Sequence, residues 1–211
     1  MTSIVWDFDG TLANSYPGMV TAVQQSLKDN FQIDISRDTI FKDIKKTSIR
    51  NYVQELFSAD ESTKDNVEAN VKTFYHDYKF IEHEHQDDIV LMPHALKTLK
   101  ALQEKGIQQF VITHRDQSIF EIAKALKIAQ YFDEIVSVED NFTRKPDPNM
   151  LEYLMNKHHV APKDLLVIGD RKIDIDFGDS VGASTVLYSD KQSDFGQDKT
   201  VSDLKEICDL V

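Results

Sequence analysis

Two aspartates one residue apart, Asp7 and Asp9, close the apolar run "IVWDFDGT" and are followed at once by Gly10 and Thr11. Side chains alternate along an extended chain, so the pair would point the same way, about 6.5–7 Å apart. Asp-Gly by itself also marks an ordinary turn. Two further aspartates stand in "GDRKID", Asp170 and Asp174. Carboxylates brought together repel, by roughly 4 kcal/mol per pair at 4 Å and an effective dielectric near 20. A cation relieves that repulsion, and hard oxygen donors suit Mg²⁺. The chemistry on offer is metal-assisted work on an anionic ligand, provided the fold delivers these groups to one place.

The elements that must do so are legible in the patterning. Ile4–Trp6, "QFVIT" (109–113), "EIVSVE" (134–139), "DLLVIG" (164–169) and "STVLY" (184–188) read as strands. Between them lie helices: "PHALKTLKALQEKG" from Pro93 to the stop at Gly106, "DQSIFEIAKALKI" with Asp116 as N-cap, and "DPNMLEYLMNKHH" (147–159). A tail helix, "SDLKEICDL", turns Leu204, Ile207 and Leu210 inward. Strands alternating with helices imply an α/β fold, a parallel sheet with helices on both faces. Ligands bind such sheets at the carboxyl ends of the strands. There stand Asp7 and Asp9, then Thr113, His114 and Arg115, then Thr143, Arg144 and Lys145, then Asp170 leading to Asp174.

Residues 19–92 hold neither glycine nor proline and carry apolar stripes at helical spacing. Met19, Val20, Val23 and Leu27 form one stripe, and Ile49, Val53, Leu56 and Phe57 another. Val67, Val71, Phe74, Tyr78 and Ile81 form a third. "EHEHQDD" (82–88) reads as a solvated return. The expected organisation is an α/β core of residues 1–14 and 89–211, interrupted by an all-helical insert of residues 15–88.

With 211 residues the chain can bury one sizeable core, and its formal net charge of −12 argues against nucleic acid as a partner. No apolar run approaches the roughly 20 residues of a membrane helix, so no membrane association is expected. The opening Met-Thr-Ser-Ile-Val-Trp-Asp lacks the basic start and long apolar segment of a signal peptide. One cysteine, Cys208, cannot close an internal disulfide, and a cytoplasmic, monomeric protein is the expectation. The histidines at 76, 83, 85, 158 and 159 show no metal-site spacing and read as surface. Asp176 and Asp179 read as solvated.

"DFDGT" at 7–11, strand-end Thr113, "KPDP" at 145–148 and "GDRKID" at 169–174 stand in the order and approximate spacing of the haloacid dehalogenase-like (HAD) superfamily. The resemblance covers almost the whole chain, and the insert resembles the cap of its phosphoglycolate phosphatase and β-phosphoglucomutase branch. It implies a Rossmann-like core and a Mg²⁺-dependent phosphatase acting on a small phosphorylated metabolite through an aspartyl-phosphate. Asp7 then resembles the nucleophile and Asp9 the general acid/base. Mg²⁺ would be held by Asp7, the Asp9 backbone carbonyl and Asp170, with Asp174 acting through water. Thr113 would hydrogen-bond a phosphoryl oxygen. Lys145 would neutralise transition-state charge, aided by the helix that "KPDP" opens. "KKTSIR" (45–50) occupies the substrate-loop stretch of relatives, making Arg50 the candidate cap contact, followed by Lys45 or Lys46.

Two departures stand out. His114 and Arg115 follow Thr113 where a small residue or asparagine is usual; His114 either touches substrate or packs under the cap. Arg171 follows Asp170 where serine is common, and pairs with nearby acids on the simplest reading. A phosphosugar mutase shares the same aspartates, but such relatives commonly carry Glu-Asp where Gly169-Asp170 stand. A non-catalytic partner-binding protein on the same fold is the third reading. A dehalogenase would need neither the second aspartate nor magnesium.

Overall fold

The computed structural model describes residues 2–140, 142–191 and 193–211. The chain forms two compact units, one running to Asn14 and resuming as Val90–Val211, the other Ser15–Ile89.

In the first unit the strands are β1 (Ser3–Trp6), β2 (Ala13–Asn14), β3 (Val90–Leu91), β4 (Gln108–Ile112), β5 (Glu134–Val136), β6 (Leu165–Gly169), β7 (Ser184–Tyr188) and β8 (Lys199–Val201). Six of them build one sheet in the order β5-β4-β1-β6-β7-β8, with every neighbouring pair parallel. From β1 the chain adds β4 and β5 on one side, then β6, β7 and β8 on the other. The sheet therefore reverses its winding beside β1, the point at whose carboxyl ends such sheets bind their ligands. All four residues of β1 are buried, as a strand covered on both faces requires. On one face Val5, Phe110, Ile112, Val136, Leu165 and Val167 pack with Met150, Leu151, Leu154 and Phe177. Trp6 alternates to the other face, where its indole N–H donates to Gln109 Oε1 at 3.3 Å. Gln109 Nε2 in turn donates to the Leu99 carbonyl at 2.9 Å, satisfying a buried amide.

Four of the helices in this unit follow the alternation: Ala95–Glu104, Ser118–Ala125, Asn149–His158 and Lys172–Asp179. Several boundaries differ from the patterned expectation. The strand expected over 134–139 stops at Val136, because Ser137 N–H turns to Asp140 Oδ2 and Val138 N–H to the Arg115 carbonyl. Asp116 accepts from Ser118 N–H, but the helix cap falls on Gln117. The tail is 3₁₀ rather than α over Leu204–Asp209; it buries Leu204 and Ile207, three apart, while Leu210 lies beyond it and is exposed. β8 and the β2–β3 ribbon had no counterpart in the sequence reading, being only two or three residues long.

The second unit holds the helices Tyr16–Phe31, Arg37–Lys46, Ile49–Ala59 and Val67–Glu84. The three stripes meet in its core, with Val23, Leu27, Val53, Phe57 and Phe74 fully buried, and Met19, Ile49, Leu56 and Val67 packed at its margin. Ser36 and Ser48 cap the second and third helices by accepting from Thr39 and Asn51 N–H, which fixes two sharp starts around Thr47. Among the described residues no helix is long and apolar enough to cross a membrane.

Candidate active site

Register explains why distant residues meet. Trp6 lies opposite Val111 on one side and Ile168 on the other, so the residues leaving the three central strands emerge at one level. Asp7 N–H still bonds the Ile168 carbonyl at 2.8 Å, and Thr113 N–H the Val136 carbonyl at 3.1 Å. Asp7 and Asp170 thus stand side by side at the reversal point. Asp174 arrives from the first turn of the Lys172–Asp179 helix. Gly169 lets it do so: a Cβ there would lie 2.2 Å from Asp174 Cβ.

Asp7, Asp170 and Asp174 are buried, and one carboxylate oxygen from each lies within 4.8 Å of the others. Lys145, also buried, bridges two of them, with Nζ 2.8 Å from Asp7 Oδ1 and 2.9 Å from Asp174 Oδ1. Thr11 Oγ1 approaches Asp7 Oδ2 at 3.5 Å. The charges are imbalanced even so. Burial, and then the Asp174 charge, push the Asp7 carboxyl up to about 7 despite Lys145 and Arg171. Burial alone would lower the Lys145 ammonium; Asp174 and Asp7 outweigh it and hold the group above its usual value. Three buried hard-oxygen donors, two of them bridged by Lys145 and the third beside Arg171, fit a divalent cation such as Mg²⁺.

Asp9 is not part of that triad. Its Oδ1 accepts from Arg115 Nε at 2.8 Å, an ion pair with both side chains nearly buried. Thr113, fully buried, accepts the Arg115 N–H on Oγ1 at 3.1 Å. His114 Nε2 accepts the Lys145 backbone N–H at 2.9 Å. Burial, with Lys145, Arg144 and Arg171 nearby, pulls the His114 imidazole down to about 2, so it stays neutral and keeps that acceptor. Arg171 Nε lies 3.7 Å from Asp170 Oδ1, the pairing with acids that its position suggested.

"KPDP" does open a helix, and Lys145 stands three residues before its cap. The helix begins at Asn149 with Pro148 as its N-cap, and Asp147 Oδ1 accepts the Asn149 N–H. Arg50 is exposed in the first turn of the Ile49–Ala59 helix, within the helical unit. In the same unit Lys45 lies over the Tyr16 ring at 5.1 Å, and Lys46 pairs with Asp43 at 2.8 Å. His158 is half-buried, bonded to Glu134 and packed on Phe110, so it is less exposed than its spacing implied. Asp176 pairs with Lys172 on the helix surface, and Asp179 is exposed. The residue that sequence reasoning underrated is Arg115: nothing in "THRDQ" separates a buried partner of Asp9 from a surface arginine.

The family profile described as haloacid dehalogenase-like hydrolase matches residues 4–188. A phosphoglycolate phosphatase of Vibrio vulnificus is 26% identical over 82% of this chain and 76% of its own. The pyrophosphatase PpaX of Bacillus mycoides is 25% identical, over 90% of this chain and 84% of its own. Among solved structures, one titled as a predicted phosphoglycolate phosphatase from Haemophilus somnus superposes with a TM-score of 0.83 at 24% identity, covering all of this chain and 97% of that one.

Proposed function

Because the chain belongs to the haloacid dehalogenase-like hydrolases, we propose that it is a Mg²⁺-dependent phosphatase that cleaves a small phosphate monoester through an aspartyl-phosphate on Asp7. The observation that carries this reading is the buried triad of Asp7, Asp170 and Asp174, two of whose members share Lys145. The names of the two relatives, a phosphoglycolate phosphatase and a pyrophosphatase, agree with phosphate-ester chemistry.

Mg²⁺ held by Asp7, Asp170, Asp174 and the Asp9 carbonyl would supply charge neutralisation and polarise the phosphoryl group. The chain's own residues do the rest. A phosphate dianion approaching Asp7 meets Lys145 Nζ beside the attacking oxygen. That charge favours both the encounter and the spread of charge over the phosphoryl oxygens. Thr113 Oγ1 accepts from a backbone N–H, which leaves its own hydrogen to donate to a phosphoryl oxygen. An Asp7 oxygen bonds to phosphorus as the ester P–O bond breaks, and Asp9 gives its proton to the departing alkoxide. Water then attacks the aspartyl-phosphate, Asp9 takes the water proton, and Asp7 is released with phosphate. The helical unit serves as the cap in this reading, with Arg50 as its substrate contact. Gly169-Asp170 stands where sugar-isomerising relatives commonly carry Glu-Asp, which supports hydrolysis over isomerisation.

With Mg²⁺ the full chain should hydrolyse p-nitrophenyl phosphate, excess EDTA should abolish the activity, and Asp7→Asn should lower it at least ~10³-fold. Glucose 1-phosphates should yield free phosphate and no isomerised sugar. Wild-type rates in Asp7→Asn would overturn the assignment.

A further inference from the structure

We propose that Arg115 is the positioning residue for Asp9, fixing the orientation of the carboxyl that gives its proton to the leaving oxygen. The inference rests on the phosphatase reading above. Arg115 is fixed at both ends. Its backbone N–H donates to Thr113 Oγ1 at 3.1 Å, and its carbonyl accepts from Val138 N–H at 3.2 Å. Its guanidinium donates from Nε to Asp9 Oδ1 at 2.8 Å, with Cζ 5.8 Å from the Phe8 ring centroid. Only 7% of the arginine side chain and 11% of the aspartate side chain are exposed.

A contact so buried is a poor device for stability alone, since the hydration lost by the guanidinium and the carboxyl offsets most of their attraction. It is a good device for orientation. A planar guanidinium fixes a carboxylate more tightly than the mobile ammonium of lysine does. Each of the two catalytic carboxylates has a buried cation, Lys145 on Asp7 and Arg115 on Asp9. Thr113 ties both arrangements to one strand end, since its hydroxyl anchors Arg115 while the next residue, His114, accepts the Lys145 N–H.

Proton donation matters in proportion to how poor the leaving group is. Asp9 enters this step as the neutral acid, its Oδ1 still accepting from Arg115 Nε. As the P–O bond to an alkoxide breaks, the proton passes to that oxygen, which keeps the electron pair of the broken bond, whereas p-nitrophenolate leaves without a proton. A mispositioned Asp9 therefore harms alkyl esters far more than activated aryl esters. A residue that only supported the fold would harm both alike.

The test measures kcat/KM of the full chain with Mg²⁺ for glycerol 2-phosphate and p-nitrophenyl phosphate, in wild type, Arg115→Met and Arg115→Lys. The parameter covers steps up to formation of the aspartyl-phosphate, so later hydrolysis does not mask the effect. Arg115→Met should lower the alkyl ester value about 30-fold or more and the aryl value about threefold. Arg115→Lys should fall between wild type and Met, with the alkyl ester still the more affected. If Arg115→Met does not fold, the same inequality in Arg115→Lys decides. Equal losses on both esters, or none on either, overturn the inference while leaving the phosphatase reading intact. A wild type inactive on both esters overturns that reading and this inference with it.

Discussion

Replacing Asp7 with asparagine should alter how stability depends on pH. Burial and Asp174 raise the Asp7 carboxyl from 3.8 to about 7. Between those values the folded protein keeps a proton that the unfolded chain has released. Stability from this group is therefore present at low pH and lost as pH rises towards 7, by at most about 1.4 kcal/mol per unit. His114 works in the opposite sense, its imidazole being pulled from 6.5 to about 2. Below pH 6.5 the unfolded chain takes up a proton that the folded imidazole refuses, so this contribution grows as pH rises, with a slope of the same size. From about pH 4 to 6.5 the two slopes cancel, and the wild type hides both.

Asp7→Asn exposes the histidine slope. In metal-free buffer, urea unfolding of the variant should gain about 1.4 kcal/mol per unit from pH 4.5 to 6.5 relative to a nearly flat wild type. From pH 6.5 to 7.5 the wild type should decline while the variant levels off. Trp6 is the only tryptophan and is fully buried in β1, so its fluorescence reports unfolding of the α/β unit alone. Saturating Mg²⁺ should remove the decline in the wild type, because a cation on the triad keeps Asp7 ionised. Parallel profiles for wild type and variant across the range would refute the account of Asp7 as a buried acid short of positive charge.

Two further substitutions test how the site is held. Gly169→Ala forces Asp174 and its helix away from the strand end, because the new Cβ would lie 2.2 Å from Asp174 Cβ. Calorimetric Mg²⁺ titration should show affinity at least about tenfold weaker, with about 1–3 kcal/mol lost in urea unfolding. His114→Leu removes the acceptor of the Lys145 N–H; unfolding at pH 7.5 should show about 1–3 kcal/mol of destabilisation.

How much of this was legible follows from the range of the forces involved. The parallel sheet and its helices were readable because a strand covered on both faces must be apolar along its length, and Ile4–Trp6, Phe110–Ile112 and Leu165–Ile168 are. Strand ends then put Asp7, Thr113 and Asp170 at one edge without further information, since parallel register levels them. The failures came where a few residues act alone. β8 and the β2–β3 ribbon are too short to have a period, and the tail chose a 3₁₀ turn that leaves Leu210 in water.

Partner choice within the site is a separate matter, because it is decided across long sequence separations. Lys145 meets Asp7 over 138 residues and Arg115 meets Asp9 over 106. Sequence order gives no reason for either basic residue to prefer its own acid. Depth gives one. Asp7 shares its surroundings with Asp170 and Asp174, so it needs a cation that reaches two carboxylates at once, and the ammonium, with three rotatable donors, does so. Asp9 stands outside the triad, where a rigid guanidinium can serve a single carboxylate. The proposed chemistry asks for the same division: Asp7, the proposed nucleophile, sits among charges that a cation would complete, and Asp9, the proposed proton carrier, is kept apart from them.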